Sequence, residues 1–126
     1  MITYTQVAES AAYLRSRLPV LPEVALVLGS GLGPLADQMQ DTVSIAYAEI
    51  PHFRVSTAPD HAGRLVVGTL AGRRIACMQG RLHGYEGYAP DEIAYPVYVL
   101  RALGVQALIL TNASGGINTG FSVGDF

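Results

Sequence analysis

The sequence contains one cysteine and no lysine, and both scarcities restrict its chemistry. Cys77 cannot form an intrachain disulfide, and no spacing of cysteine and histidine resembles a zinc site. Without lysine, Schiff-base catalysis and a P-loop lysine are excluded. The eight basic residues are all arginines, and the formal net charge of −2 gives no basic field that would favour nucleic acid or an anionic membrane surface.

Long apolar runs are absent as well. No stretch approaches the ~20 residues that a membrane-spanning helix needs. The first ten residues, MITYTQVAES, lack the basic and apolar regions of a signal peptide, so we expect a cytoplasmic protein. Hydrophobic residues still make up 50% of the 126 positions, which predicts a single globular domain over residues 1–126 with a core of its own.

Apolar patterning predicts helices alternating with short strands. The predicted elements in the first two thirds of the chain are a helix at 5–18, a buried strand at 23–29, a short helix with Pro34 in its first turn, a strand at 43–50, and two strands within 64–80 joined by a tight hairpin at Ala71-Gly72.

A second long helix is predicted over residues 89–104. Pro90 and the acidic Asp91 suit its first turn, and Gly104 suits its C-terminal end. Pro96 predicts either a kink or a late start. A second buried strand, VQALIL, should follow at 105–110.

This order of elements predicts an α/β fold with a mixed, mostly parallel sheet flanked by helices. In such folds ligands bind beyond the carboxyl ends of the strands. Three segments rich in glycine and polar residues follow predicted strands, namely GSGLG at 29–33, QGRLHGYEG at 79–87 and TNASGGIN at 111–118.

These three segments carry groups that bind small anions. Glycine turns present successive backbone N–H groups, and Ser30 adds a hydroxyl donor. Arg81 and His83 are two residues apart, so on an extended segment they point the same way. The arginine fork matches two phosphate oxygens, and the histidine supplies a further donor. Together they predict a phosphate or carboxylate site built from three loops.

Each feature taken alone also has a plainer explanation. GSGLG could be an ordinary tight turn, and it lacks the last glycine of the dinucleotide motif because Pro34 occupies that place. Arg81 could be a surface ion-pair partner, and His83 and His61 could be structural hydrogen-bond donors. Asn112 is expected to cap the turn after its strand. Two residues are interpreted as structural only, His52 and the core residue Cys77.

Four motifs resemble the trimeric purine nucleoside phosphorylases in order and spacing. They are VLGSGLG, STAPDHAGRLVVG, MQGRLHGYEGY and LTNASGGIN followed by F-x-VGD. The third is the most specific, and the resemblance extends from about residue 5 to residue 125. It favours these enzymes over the related methylthioadenosine phosphorylases.

The resemblance implies phosphorolysis of purine (deoxy)ribonucleosides to the free base and (deoxy)ribose-1-phosphate in purine salvage. It implies inorganic phosphate as co-substrate, no metal or organic cofactor, and a homotrimer. The residues that it places at the phosphate are Ser30, His61, Arg81, His83 and the backbone N–H of Ala113. Tyr85 would lie along the pentose, Glu86 would hold His83 in place, and Gly31 and Asn112 would support the loops.

Members of that family are roughly twice as long as this chain. The resemblance therefore implies that the sheet is incomplete, with an open edge and exposed apolar surface, and that the groups that read the purine lie elsewhere. We assign no catalytic residue within residues 1–126 and expect little or no turnover from this chain alone. Two other interpretations stay open at this point, a non-catalytic phosphate-binding or assembly module and, less favoured, a dinucleotide-binding domain.

Overall fold

The computed structural model describes residues 1–55 and 63–126. Within these ranges the chain forms two α-helices, α1 (Tyr4–Arg17) and α2 (Pro90–Ala102). The strands are β1 (Val24–Leu28), β2 (Gln40–Ala46), β3 (Arg64–Leu70), β4 (Arg73–Gln79) and β5 (Ala107–Leu110). Short 3-10 helices occupy Gly33–Gln38, Tyr47–Glu49 and Gly84–Glu86.

The five strands form one mixed sheet in the order β2-β3-β4-β1-β5. Strand β1 pairs in parallel with β4 and with β5, so that Val24 lies opposite both Ile75 and Ala107. Strand β3 is antiparallel to both of its neighbours, β2 and β4. Of the described strands only β3 therefore runs against the common direction, and the predicted mixed sheet with flanking helices is confirmed.

The main hydrophobic core lies on the face of the sheet that carries α1 and α2. Leu14 of α1 and Val99 of α2 are fully buried there against strand residues such as Val67. Burial of one such side chain contributes about 1.5–3 kcal/mol to folding. A smaller cluster on the opposite face contains Cys77 and is covered by the 3-10 helix Gly33–Gln38, in part through Ala36.

Helix α1 lies one residue earlier than the predicted 5–18, and α2 lies within the predicted 89–104. Thr3 precedes α1, and its hydroxyl accepts from the backbone N–H of Gln6 at 3.2 Å. Helix α2 ends in a Schellman motif, in which Gly104 takes φ 101° and Val105 donates to the carbonyl of Leu100 at 3.1 Å. Pro96 lies inside α2, so the alternative of a late helix start is wrong. No helix within the described ranges is long and apolar enough to cross a bilayer.

The second strand begins and ends earlier than the predicted 43–50. Strand β2 covers Gln40–Ala46, and a turn of 3-10 helix follows it. Tyr47 and Ile50 are three residues apart and both are buried, at 4% and 2% exposed. A 3-10 turn brings positions i and i+3 to the same side, which places both side chains in the core where a continued strand would separate them.

The hairpin at Ala71-Gly72 is confirmed, since both residues take positive φ, at 52° and 76°. Strand β5 differs from its prediction as a buried strand. It pairs with β1 only, and its residues Leu108, Ile109 and Leu110 are 38%, 49% and 63% exposed. No helix or strand follows β5 in the described part of the chain to cover it. One edge of the sheet is therefore open and apolar, as the expectation of an incomplete sheet requires.

Candidate anion site

Sheet topology brings the three glycine-rich loops to one edge. Strands β4, β1 and β5 are neighbours and run in parallel, so their carboxyl ends lie side by side. The loop after β1 begins at Gly29, the loop after β4 at Gly80 and the loop after β5 at Thr111. This edge of an α/β sheet is the usual place for a ligand.

The side chain of Thr111 joins two of these loops. Its hydroxyl accepts from the backbone N–H of Gly29 at 2.7 Å and donates to the carbonyl of Val27 at 2.7 Å. The two backbones approach so closely that a Cβ on Gly29 would lie 3.2 Å from the carbonyl oxygen of Thr111 and from the Cα of Asn112. A side chain at position 29 would therefore push these two backbones apart by a few tenths of an ångström.

Ser30 and Gly31 form the exposed tip of the loop after β1. The backbone N–H of Leu32 donates to the carbonyl of Gly29 at 3.2 Å and closes a turn, and Gly31 takes φ 83° within it. Among the residues that the structure describes, no acceptor is found for the backbone N–H groups of Ser30, Gly31 or Ala113. These donors lie in the loops after β1 and β5, at the carboxyl edge of the sheet.

Arg81 links the loop after β4 to the loop after β5. Its Nη1 donates to the carbonyl of Thr111 at 2.9 Å. A guanidinium has five N–H donors and this contact uses one, so the fork retains donors for an anion. Leu82 is buried between Arg81 and His83, both of which are partly exposed. This alternation is what an extended segment produces, with Arg81 and His83 on the same side.

His83, Tyr85 and Glu86 form a compact group in the same loop. The carboxylate of Glu86 accepts from the backbone N–H of His83 at 2.7 Å, so it fixes the main chain at that histidine. The ring of Tyr85 stacks on the ring of His83 with centroids 4.8 Å apart and planes 10° apart. Tyr85 is 79% exposed, which leaves the other face of its ring open to a ligand.

Comparison with known proteins assigns the family. The sequence profile of the phosphorylase superfamily matches residues 23–126. The chain belongs to the phosphorylase superfamily.

Curated relatives of this superfamily member include purine nucleoside phosphorylases. The chain is 51% identical to purine nucleoside phosphorylase 1 of Bacillus subtilis over 120 residues, which cover 95% of this chain and 44% of that protein. It is 48% identical to the purine nucleoside phosphorylase of Bos taurus over 123 residues, which cover 98% of this chain and 43% of that protein. The chain therefore spans less than half the length of these relatives.

Solved structures agree with this assignment. Isoform 2 of the purine nucleoside phosphorylase of Schistosoma mansoni, in complex with cytosine and ribose-1-phosphate, superimposes with a TM-score of 0.89 at 43% identity. The match covers 98% of this chain and 43% of that one.

Two residues that anchor these loops were not predicted from the sequence. In the sequence Thr111 is only the first residue of a predicted loop, although a hydroxyl at a strand end is a known local hydrogen-bonding signal. Tyr47 donates from its hydroxyl to the carbonyl of Gly80 at 2.6 Å and so holds the start of the loop after β4. Burial raises the pKa of Tyr47, which keeps the phenol a neutral donor.

The other residues singled out in the sequence lie at separate positions in the chain. Asn112 does not cap the turn after β5, because its side chain has no partner among the described residues and Thr111 makes the local hydrogen bonds instead. His61 lies outside the described residues. His52 pairs with Glu9 at 2.5 Å, which is a structural contact. Cys77 is fully buried, and burial raises the pKa of its thiol to about 11.

A cavity of about 440 Å³ lies elsewhere, between the starts of α1 and α2. None of its lining residues belongs to the three loops. Two charge pairs at its wall, the Met1 amino group with Asp91 at 3.1 Å and Arg54 with Glu92 at 3.2 Å, neutralise their own charges. Across residues 1–55 and 63–126 no cluster of histidine, cysteine, aspartate or glutamate is suited to a metal ion. The loops at the sheet edge are thus the better candidate site.

Proposed function

We propose that this chain is the phosphate-binding portion of a purine nucleoside phosphorylase. The observation that carries the proposal is the linkage of three strand-end loops through Thr111, which receives Gly29 on one side and Arg81 on the other. Membership of the phosphorylase superfamily supports it. The names of the relatives, purine nucleoside phosphorylases, give the substrate class.

In the proposed reaction a purine nucleoside is cleaved by inorganic phosphate. A phosphate oxygen forms a bond to C1′ of the pentose while the bond from C1′ to N9 of the base breaks. The electron pair of that bond leaves with the purine, which takes up a proton. Because C1′ carries positive charge in the transition state, a phosphate dianion held beside it is both nucleophile and electrostatic stabiliser.

Each loop would supply different hydrogen-bond donors to the phosphate. The hydroxyl of Ser30 and the backbone N–H groups of Gly31 and Ala113 would donate to phosphate oxygens. Arg81 would supply the charged fork, and His83 would add a donor oriented by its neighbours.

Three further residues have proposed supporting roles. Tyr85, whose ring lies open beside His83, would contact the pentose. Glu86 would keep the loop after β4 in place through the backbone N–H of His83. His61 in PDHAG would approach the phosphate from the segment before β3.

The family resemblance supports the wider part of the proposal. Inorganic phosphate would be the co-substrate without a metal or organic cofactor, the assembly would be a homotrimer, and the setting would be purine salvage in the cytoplasm. Residues 1–126 would form one structural unit. Since the chain covers 44% of a relative's length, we expect the groups that read the base to come from polypeptide beyond these residues.

Calorimetric titration of the 126-residue chain with phosphate, with inosine and with both tests the proposal. We expect phosphate to bind and inosine to give little or no hypoxanthine in a coupled assay. Absence of phosphate binding would remove the proposed function. Rapid phosphate-dependent release of hypoxanthine by a mass-verified sample would instead overturn the expectation that this portion alone does not turn over.

The second candidate is a non-catalytic phosphate-binding or assembly module. It is favoured by one observation, the coverage of less than half of each relative. In the same titration such a module responds to phosphate alone, and adding a longer relative's remaining polypeptide restores no turnover.

A further inference from the structure

The loop that carries Ser30 is held at its far end by the side chain of Gln79. Gln79 is the last residue of β4 and lies opposite Leu28, the last residue of β1. Its Nε2 donates to the carbonyl oxygen of Gly33 at 2.9 Å. Gly33 is the residue at which the glycine loop becomes a 3-10 helix. The loop is therefore fixed at both ends, at Gly29 by Thr111 and at Gly33 by Gln79.

Arg64 determines which way the amide of Gln79 points. The two residues face each other across the β3–β4 ladder, and Nε of Arg64 donates to Oε1 of Gln79. Since the amide oxygen accepts from Arg64, the amide nitrogen is directed to the carbonyl of Gly33. Arg64 also lies 3.6 Å from the carboxylate of Asp37 in the same 3-10 helix. Arg64 thus contacts both Gln79, which binds Gly33, and Asp37 in the 3-10 helix that follows the loop.

We propose that Gln79 and Arg64 are positioning residues that set the affinity of the Ser30 loop for phosphate. The proposal rests on the function proposed above and adds a second anchor to the site. Ser30 and Gly31 are exposed, and their backbone N–H groups have no acceptor among the described residues. Their direction therefore depends on the two fixed ends of a short turn.

We call the pair Gln79 and Arg64 the clamp. If the clamp had a purely structural role, its loss would change the free energy of unfolding without changing the affinity for phosphate. Gln79→Met keeps the length of the side chain and removes both hydrogen bonds without adding charge. Arg64→Gln removes the partner that orients the amide. Two controls match them. Arg73→Gln removes an arginine at the opposite end of the same hairpin, where it pairs with Glu23 at 3.2 Å. Ile45→Val creates a small cavity in the core on the other face of the sheet.

The experiment measures the phosphate Kd by calorimetry and the unfolding free energy in urea for the full chain and these four variants. We expect Gln79→Met to raise the phosphate Kd about tenfold, the effect of losing one positioning hydrogen bond. Arg64→Gln should raise it severalfold. Arg73→Gln and Ile45→Val should bind phosphate as the wild type does, although Ile45→Val is less stable.

Three results would overturn the proposal. Unchanged phosphate affinity in Gln79→Met, with affinity lost in Arg81→Ala, would leave the phosphate site standing and remove the clamp from it. Equal loss of phosphate affinity in Gln79→Met and Ile45→Val would show that the clamp acts only through the stability of the whole fold. Failure of the wild type to bind phosphate would remove the proposed function and the clamp together.

Discussion

The guanidinium of Arg81 donates to the carbonyl oxygen of Thr111 at 2.9 Å, across the gap between the loops after β4 and β5. The same threonine receives the backbone N–H of Gly29. One residue at the end of β5 thus fixes a charged side chain from one neighbouring loop and the backbone of another. Changes at either residue separate the effects of ligand binding from those of loop assembly.

Replacement of Arg81 should weaken phosphate binding. We expect Arg81→Ala to raise the phosphate Kd by about 10- to 100-fold, because a charge-assisted hydrogen bond is lost. Arg81→Lys should recover part of the loss, since it restores the charge without the fork. Calorimetry measures the Kd, and Arg73→Ala is the matched control. Phosphate affinity that does not change in Arg81→Ala would exclude Arg81 from the site.

Replacement of Thr111 should act on stability. Thr111→Val keeps the shape of the side chain but leaves the N–H of Gly29 and the carbonyl of Val27 without their hydroxyl partner. We expect a loss of about 1–3 kcal/mol in the free energy of unfolding. Thr111→Ser keeps the hydroxyl and should cost much less. Urea denaturation measures both, and equal losses for valine and serine would show that the hydroxyl is not the anchor.

Gly31 should resist substitution because of its backbone conformation. Its φ of 83° is strained for any residue with a Cβ, although nothing lies within 4 Å of that position. We expect Gly31→Ala to lower the free energy of unfolding by about 1–2 kcal/mol. Gly84→Ala is the control, because Gly84 has equal space without the positive φ. Thermal or urea unfolding that gives the two variants the same stability contradicts the prediction.

Ionisation of Cys77 should destabilise the fold in alkaline solution. Burial raises the pKa of the thiol from its ordinary 9.0 to about 11 in the folded protein. The unfolded chain therefore releases this proton first, so the stabilising contribution is complete below about pH 9 and is lost between about pH 9 and pH 11.

The change that isolates this contribution is Cys77→Ala. The pH dependence of its unfolding free energy should be flatter than that of the wild type across this window, by up to about 2–3 kcal/mol in total. Tyr95, whose pKa is raised by burial, ionises in both proteins, so its effect cancels in the difference. The pKa of Tyr47 is raised mainly by burial and further by the charge of Cys77, so the measured difference includes this coupling between the two groups. Parallel curves for the two proteins would show that the thiol does not contribute.

The open edge at β5 should make the 126-residue chain associate with itself. Leu110 is 63% exposed on an edge strand with unpaired backbone groups, which is a template for strand addition. We expect Leu110→Lys to reduce association in sedimentation velocity experiments. Tyr98→Lys, at a residue 55% exposed on α2, is the control. If both variants sediment as the wild type does, the β5 edge is not the surface involved.

Local sequence signals were sufficient to predict most of the fold. The tight hairpin at Ala71 and Gly72 and the ending of α2 at Gly104 follow from residue types that act on their own neighbours. The strand-end position of the three loops followed from the α/β pattern. The burial of β5 could not be predicted from its apolar sequence, because burial depends on a neighbour on the far side of the strand.

The anchors of the site were harder to predict for a related reason. Thr111, Gln79 and Arg64 act through partners that are distant in sequence, as in the contacts of Thr111 with Gly29 and of Gln79 with Gly33. Residue type alone does not reveal such pairs. Arg81 was singled out by its neighbours in the motif GRLHG, but its contact with the end of β5 required the sheet order.

The position of β1 between β4 and β5 also determines when the site can form during folding. Strand β1 lies near the start of the chain, whereas its partner β5, which is aligned through Val24 and Ala107, lies near the end. Closing so long a loop is slow relative to forming the β3–β4 hairpin, whose strands are adjacent. The hairpin can form early, but the three loops converge only after β5 docks. During synthesis on the ribosome, the nascent chain therefore cannot hold the anion until nearly all of these residues have emerged.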